Sequence, residues 1–228
     1  MKILPLHQIK NPKSIILDWD NTIVQSRHVL RKTIIDLADE IGFPHEKIKK
    51  SELFSHSFNR PVVEAFPELF EDKWQEAWKH YVRIMKKNRF QMMKLIEGAL
   101  EFINLLSEDK IPMAIVSNKE EEFLHEEVKH FSIYDKFYNV ISSGNNSKPN
   151  PEAAYRAFSP HLIPESEYDD CIWFIGDSSV DIECANNSKC AGILVGDTNY
   201  LNSNFHGKTG FIFKNFYELI SFYKSLKN

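Results

Sequence analysis

An α/β fold, with a parallel sheet covered by helices on both faces and a block of helices inserted after its first strand, is what this 228-residue sequence predicts. Three observations carry the prediction. From Gly98 onward, short apolar runs alternate with helical periodicities. Four apolar runs break off into polar loops rich in acids and hydroxyls. Between Val29 and Met93 the periodicity is helical throughout, with no convincing strand. Alternation of this kind argues a parallel sheet, because each crossover needs an element to return the chain to the same end.

The first strand is Ser14-Ile15-Ile16-Leu17, a short apolar run feeding the polar loop Asp18-Trp19-Asp20-Asn21-Thr22. Leu30, Ile34, Leu37 and Ile41 then keep helical spacing, and Trp74, Trp78, Tyr81, Val82 and Met85 do so again. Beyond them the pattern predicts helices over 98–107, 120–131, from about Pro151, over 180–187 and over 217–226. Strands are predicted at 113–116, 137–142, 171–175 and 192–195. The expected architecture is therefore a Rossmann-like parallel sheet core made of residues 1–23 and 95–228, with an all-helical cap domain of residues 24–94 inserted after the first core strand.

Composition narrows the function. Against 32 acidic residues stand 28 Lys and Arg, a formal charge of −4, which does not advertise a polyanionic partner. Lys86, Lys87 and Arg89 beside Phe90 have acids nearby, so a solvated helix face is expected there and no nucleic-acid partner. The stripe Trp74, Trp78 and Tyr81 reads as cap packing. No window approaches a membrane span, and residues 1–12 hold no apolar leader core, so the expectation is a cytoplasmic protein without a membrane partner. The three cysteines form no C-x-x-C pair, and His125 and His130 are five apart, which is not the zinc-binding spacing of two histidines four apart. Gly207-Lys208-Thr209 lacks the leading Gly and the strand of a phosphate-binding loop and is read as a turn.

In an open α/β sheet, ligands bind outside the carboxyl ends of the strands, so loops after different strands converge on one crevice. Four such loops carry chemistry. In Asp18-x-Asp20-x-Thr22, one carboxylate can attack phosphorus while the other handles the proton of the leaving oxygen. A calcium loop is excluded, because Ile23 stands where its turn Gly is needed and Val29 where its last Glu belongs. Ser117-Asn118 offers a hydroxyl and backbone amides to a phosphoryl oxygen, or simply a helix cap. Lys148, in Lys148-Pro149-Asn150-Pro151, supplies an ammonium to offset charge in a transition state. Asp177 and Asp181, in Gly176-Asp177-Ser178-Ser179-Val180-Asp181, can complete the oxygen shell of a hard cation.

Taken together, DWDNT, the Ser117 of VSN, the Lys148 of KPNP and GDSSVD resemble the four motifs of the haloacid dehalogenase-like hydrolase superfamily, in order. Glu97-Gly98-Ala99-Leu100, the Ala191-Gly192-Ile193 step and the 216–226 tail are similar to its phosphoglycolate phosphatase-like branch, whose cap is helical. The resemblance implies a phosphatase in which Asp18 is the nucleophile and Asp20 the general acid and base. It implies that Ser117 and Lys148 clamp the phosphoryl group, with Thr22 and Asn118 beside them, and that Mg²⁺ is held by Asp18, the Asp20 carbonyl and Asp177, with Asp181 a further metal partner. Asn21 stands where the superfamily commonly has Gly, Trp19 is bulkier than usual, and Ser178 and Ser179 replace a Thr-based spelling. None of these removes a required functional group.

The expected substrate is a small phosphorylated metabolite; phosphoglycolate, a sugar phosphate and a nucleoside monophosphate all stay open. A phosphomutase of the same superfamily is the alternative outcome, and a non-catalytic binding module the alternative class. Among cap residues, Arg60 just before Pro61 is the candidate contact for a second anionic group on the substrate.

Overall fold

The computed structural model describes residues 2–51, 61–142, 144–196 and 209–227. Nine strands and nine helices are labelled among these residues. β1 (Lys2–Ile3) and β2 (Ser14–Leu17) are followed by β3 (Val24–Gln25). Next come α1 (Arg27–Glu40), α2 (His45–Lys50), α3 (Val62–Phe70) and α4 (Trp74–Met92), then β4 (Lys94–Leu95). The remainder alternates: α5 (Ala99–Glu108), β5 (Met113–Ser117), α6 (Glu121–His130), β6 (Asn139–Ser142) and α7 (Pro151–Tyr155). β7 (Ile172–Gly176), α8 (Ser179–Asn187), β8 (Ala191–Val195), β9 (Thr209–Phe213) and α9 (Phe216–Ser225) complete the chain.

Seven strands form one sheet in the order β1-β9-β8-β7-β2-β5-β6, every neighbour parallel. The chain leaves β2 toward β5 and β6, then returns to β7 on the other side, so the winding reverses at β2. That reversal opens a crevice at the carboxyl end of β2, where successive crossovers part to opposite sides.

Side chains of one strand alternate between faces, and the core divides accordingly. Ile15, Leu17, Met113, Ile115, Trp173 and Ile175 join one apolar cluster with α5, α6 and α9. Ile16, Ala114, Val116, Ile172 and Phe174 join a second with α7 and α8. A sheet buried on both faces needs continuous apolar runs, which is what Ser14–Leu17 and Ile172–Gly176 supply.

Between β3 and β4 the described residues are helical apart from short connections. β3 and β4 pair antiparallel, Val24 with Leu95 and Gln25 with Lys94, so both ends of the helical insertion are joined at one root. On α4, Ala77, Tyr81, Ile84, Met85 and Arg89 are buried, a face of helical period. Phe66 of α3 meets Trp78 and Tyr81 at ring-centroid distances of 5.0 and 5.2 Å.

Two sequence expectations change. Thr209 opens strand β9 and not a turn, because Phe211 and Phe213 turn one way into the core beside β8. Arg89 does not lie on a solvated face: its side chain is 1% exposed, since it shares the α4 face of Tyr81 and Met85. A third point is one of extent, for the helix expected from about Pro151 is present and is five residues long. Arg60 lies outside the described residues.

Gly98 enters α5 with φ 82°, and a Cβ there would stand 2.8 Å from the Cβ of Phe216 on α9. Gly98→Ala therefore combines a left-handed backbone with a core clash, and should cost about 2–4 kcal/mol. Calorimetry should show Tm lowered by about 5–10 °C for a chain of this size; an unchanged Tm would contradict the packing described.

Candidate active site

The site is built by strand register. Leu17 pairs with Ile115 and with Ile175, so Asp18 stands level with Val116 and Gly176, and Ser117 and Asp177 come one residue later at the same edge. The Asp18 amide still donates to the Ile175 carbonyl at 2.8 Å, which holds the residue in line with its strand. A tight turn comes next, in which Ile23 and Val24 donate to the Trp19 carbonyl at 3.0 and 3.1 Å. Asn21 takes φ 61° in this turn, and its Oδ1 accepts from the Arg27 amide at 2.9 Å at the start of α1. Asn is one of the few side chains that tolerates this backbone, and here it also caps a helix, which accounts for its place where Gly is common.

Asp18 is 5% exposed and its two oxygens are engaged separately. Lys148 Nζ donates to Oδ1 at 2.5 Å, and Thr22 Oγ1 donates to Oδ2 at 3.1 Å. The same ammonium donates to Asp181 Oδ1 at 2.7 Å. Asp181 Oδ2 accepts from the Ser178 amide at 3.1 Å and hydroxyl at 2.6 Å, closing a capping box at the head of α8. Gly176 has no Cβ because the Asp181 carboxyl occupies that space. Asp177 Oδ2 accepts from Arg27 at 2.9 Å.

Asn118 is expected to bind phosphate, but its side chain is spent on the Lys148 backbone: Oδ1 accepts from that amide at 2.8 Å and Nδ2 donates to that carbonyl at 3.1 Å. It positions the loop that carries the ammonium. Ser117 Oγ accepts from the Lys119 amide at 3.1 Å, a local turn that lies before Glu120, the residue at the head of α6, so the serine does not cap that helix.

Carboxylate oxygens of Asp18, Asp177 and Asp181 lie within 4.8 Å of one another. Burial lifts the Asp18 carboxyl to about 7, with Lys148 pulling against it and Asp181 and Asp20 adding repulsion. Burial and the charges of Asp18 and Asp181 raise Asp177 well above the ordinary range as well. This is an acid cluster short of positive charge, with hard oxygen donors only, and it fits a hard divalent cation. Asp181 accepts from three protein donors on its two oxygens, against two donors for Asp18.

A second chain of charges lies on the other side of Asp20. Lys119 Nζ donates to Asp20 Oδ1 at 2.7 Å and to Glu127 Oε2 at 2.6 Å. Glu127 on α6 is fully buried; its Oε2 also accepts from Trp19 Nε1 at 2.7 Å, and Arg89 Nε stands 3.5 Å from Oε1. The Arg89 guanidinium pairs with Glu126 and lies over the rings of Phe90 and Phe123, 4.2 and 4.9 Å from their centroids. Burial pulls the Lys119 ammonium down, yet Asp20 and Glu127 outweigh it and hold the charge firmly. The last turns of α4 are thereby tied to the loop that carries Asp20.

Sequence reasoning passes over Lys119, Glu127, Arg27 and Glu120, and reads Arg89 as part of a solvated face and Tyr81 as cap packing; all six lie at or behind this site. A signal existed for two of them. Glu127 falls on the apolar face of Phe123, Leu124 and Val128, and Arg89 on that of Tyr81 and Met85; a charge on a buried helical face demands a partner.

The loops surround a cavity of about 100 Å³, lined on the core side by Asp18, Asp20, Ser117 and Lys148 and on the helical side by Val29, Leu30, Tyr81 and Met85. With acids and an ammonium at the sheet edge and apolar side chains opposite, the arrangement suits a small anionic ester, its phosphoryl group toward the sheet.

These features define a hydrolase of the phosphatase class, and the sequence comparison agrees. A model of the haloacid dehalogenase-like hydrolase family matches residues 15–195, and the chain belongs to that family. It is similar to a phosphoglycolate phosphatase of Vibrio vulnificus, 23% identical over 189 residues covering 78% of this chain and 81% of that one. It is also 35% identical over 126 residues to a chloroplastic 5-amino-6-(5-phospho-D-ribitylamino)uracil phosphatase of Arabidopsis thaliana, a match that spans 50% of this chain but only 32% of that protein. The crystal structure of a Had-superfamily hydrolase from Ehrlichia chaffeensis superposes with TM-score 0.65 at 30% identity, covering 97% of this chain and 100% of that one. Among the described residues no helix is long and apolar enough to cross a membrane.

Glu127→Ala removes the acceptor shared by Trp19 and Lys119 and leaves buried cationic groups short of a partner, which should cost about 3–5 kcal/mol. Urea unfolding should show a lower midpoint at unchanged slope. A midpoint within experimental error of the native one would show that this chain of charges does not support the fold.

Proposed function

We propose that this protein is a Mg²⁺-dependent phosphatase of a small phosphorylated metabolite, working through a phospho-aspartate on Asp18. The observation that carries the reading is the Asp18 carboxylate, held between the Thr22 hydroxyl and the Lys148 ammonium at the cavity edge. A carboxylate fixed by two donors is aimed before substrate arrives, so little is lost in orienting it.

In the first half-reaction an Asp18 oxygen forms a bond to phosphorus while the ester P–O bond breaks, and its electron pair leaves on the alcohol oxygen. Asp20 supplies the proton which that oxygen takes up. In the second half, water attacks the phosphorus of the acyl phosphate, Asp20 receives its proton, and Asp18 departs as a carboxylate. Lys148 offsets charge on the phosphoryl oxygens, and the Ser117 hydroxyl with its neighbouring backbone amides binds them. Lys119 orients Asp20, and Arg27 orients Asp177. Asp18, the Asp20 carbonyl and Asp177 would hold the Mg²⁺, with Asp181 supporting them through Lys148. When bound, the cation supplies the positive charge that brings a phosphate dianion beside buried carboxylates.

Residues 24–94 act in this reading as a cap over the crevice, its two ends joined at the β3-β4 ribbon. The reading takes phosphate monoesters as substrates and keeps the cytoplasmic setting expected from the sequence. Closure of the cap would exclude water from the first half-reaction.

Asp18→Asn should abolish phosphate release from p-nitrophenyl phosphate while circular dichroism stays native, because an amide is a poor nucleophile. Substantial turnover by a contaminant-free preparation of the variant would remove Asp18 from this role.

Dialysis against EDTA should silence native turnover, and added Mg²⁺ should restore it, because the acid cluster needs a cation to offset its charge against phosphate. Undiminished release after exhaustive chelation would overturn the metal assignment.

A further inference from the structure

On the helical wall of the cavity the fold leaves a phenol hydroxyl open. Tyr81 of α4 lines the cavity and is 2% exposed. Its ring stacks on Trp78 with centroids 5.1 Å apart, and meets Phe66 edge-on at 5.2 Å and Phe123 of α6 at 6.4 Å. Three aromatic neighbours fix the ring, and with it the direction of the phenolic oxygen. No hydrogen bond within the described residues engages that oxygen. Nor is it among the buried polar atoms sealed from solvent, so its remaining exposure is toward the cavity.

Packing does not call for this oxygen, since a phenylalanine ring would fill the same aromatic nest without burying a polar atom. Water meets such a hydroxyl when a cavity is open. A ligand that fills the cavity displaces that water, and affinity is kept only where a ligand atom takes over its hydrogen bond. The hydroxyl keeps its proton: burial first, then the carboxylates of Glu120, Asp20 and Glu127, raise it well above an ordinary phenol, with Arg89 opposing. A neutral phenol gives a hydrogen bond more readily than it takes one, because its ring draws charge from the oxygen. The group that suits it is therefore an acceptor. It stands opposite the sheet edge that takes the phosphoryl group, on the side of the leaving alcohol. Arg27 and Arg31 line the same cavity and would answer a carboxylate through charge, so the contribution of Tyr81 is read with neutral acceptors.

We propose that Tyr81 is a specificity residue, whose hydroxyl donates a hydrogen bond to a hydroxyl or ether oxygen carried by the leaving alcohol close to the ester oxygen. The contact selects oxygenated leaving alcohols over plain alkyl ones of the same size, because an alkyl group would strand the phenol without water and without a partner. The inference rests on the phosphatase reading of Asp18, and it deepens that reading by naming the chemistry of the leaving group.

Two pairs of esters matched in size test it: 2-hydroxyethyl against propyl phosphate, and 2-methoxyethyl against butyl phosphate. Tyr81→Phe removes the hydroxyl and keeps the ring, so circular dichroism and Tm should stay native. In this variant the kcat/KM ratio, oxygenated over alkyl, should fall about three- to tenfold in both pairs, the loss of one neutral hydrogen bond. Ratios cancel any loss common to both esters. The methoxyethyl pair is decisive, because an ether oxygen can only accept. A ratio there that moves by less than about twofold, or that rises, overturns the proposal whatever the hydroxyethyl pair does. Calorimetric affinity of the same esters for Asp18→Asn protein, with and without Tyr81→Phe, reads the subsite without turnover. If native protein hydrolyses none of the four esters while the affinity ratio still falls, the phosphatase reading fails and the subsite stands. If turnover is present and neither ratio moves, the subsite fails and the phosphatase reading stands.

Discussion

The Lys148 ammonium, wedged between Asp18 and Asp181, is the interaction that holds the site together. Three carboxylates gathered at a buried sheet edge would repel one another and lose their hydration, a penalty that close, well-placed countercharge must offset. Burial alone pulls the Lys148 ammonium down, but the two facing carboxylates outweigh it and keep it charged. Much nearby structure serves this placement. Asn118 grips the Lys148 backbone at both its amide and its carbonyl, Ser178 fixes Asp181 from the far side, and Gly176 leaves room for the Asp181 carboxyl. Altering any of these moves a charge against an apolar core that cannot screen it.

A second line of charge runs from Asp20 through Lys119 and Glu127 to Arg89, away from the acid cluster. Its members come from the β2 loop, the β5 loop, α6 and α4, so it ties the inserted helices to the sheet without a covalent link. Tyr81 adds an apolar tie beside it, its ring 6.4 Å from that of Phe123 on α6. Both ties reach the loop after β2 or its neighbours. The helices are thus placed against the same cavity that Asp18, Asp20 and Lys148 line from the sheet edge.

The two sides of the cavity divide the work. The sheet edge holds Asp18, Asp20, Ser117 and Asp177, and their geometry is set by the register of β2, β5 and β7. The helical side is mainly apolar and offers shape, with Arg27 and Arg31 of α1 its charged members.

Legibility differs between sheet edge and helices. Ser14–Leu17, Met113–Ser117 and Ile172–Gly176 read directly as strands, because a parallel sheet buried on both faces imposes unbroken apolar runs. The polar residues just beyond them are legible too, since the end of a buried strand puts the next residues at a known edge. β9 is not, because three apolar residues after Thr209 and Gly210 are too short to separate from a turn. Asn118 draws notice through its hydroxyl-bearing neighbour, whereas its amide serves Lys148, thirty residues away in sequence. Local periodicity was thus enough to establish which residues sit at the carboxyl edge of the sheet, but not every buried helical face, since it put Arg89 on a solvated one. Partners were settled only by packing: Lys148 serves Asp18 and Asp181 together, Glu127 meets Trp19 across 108 positions of sequence, and the Oε1 of Glu120 meets no donor among the described residues. The reason is physical. Periodicity places a charge on a face, but the energy of a buried charge depends on whichever groups lie within a few ångströms, and those are set by how distant elements pack.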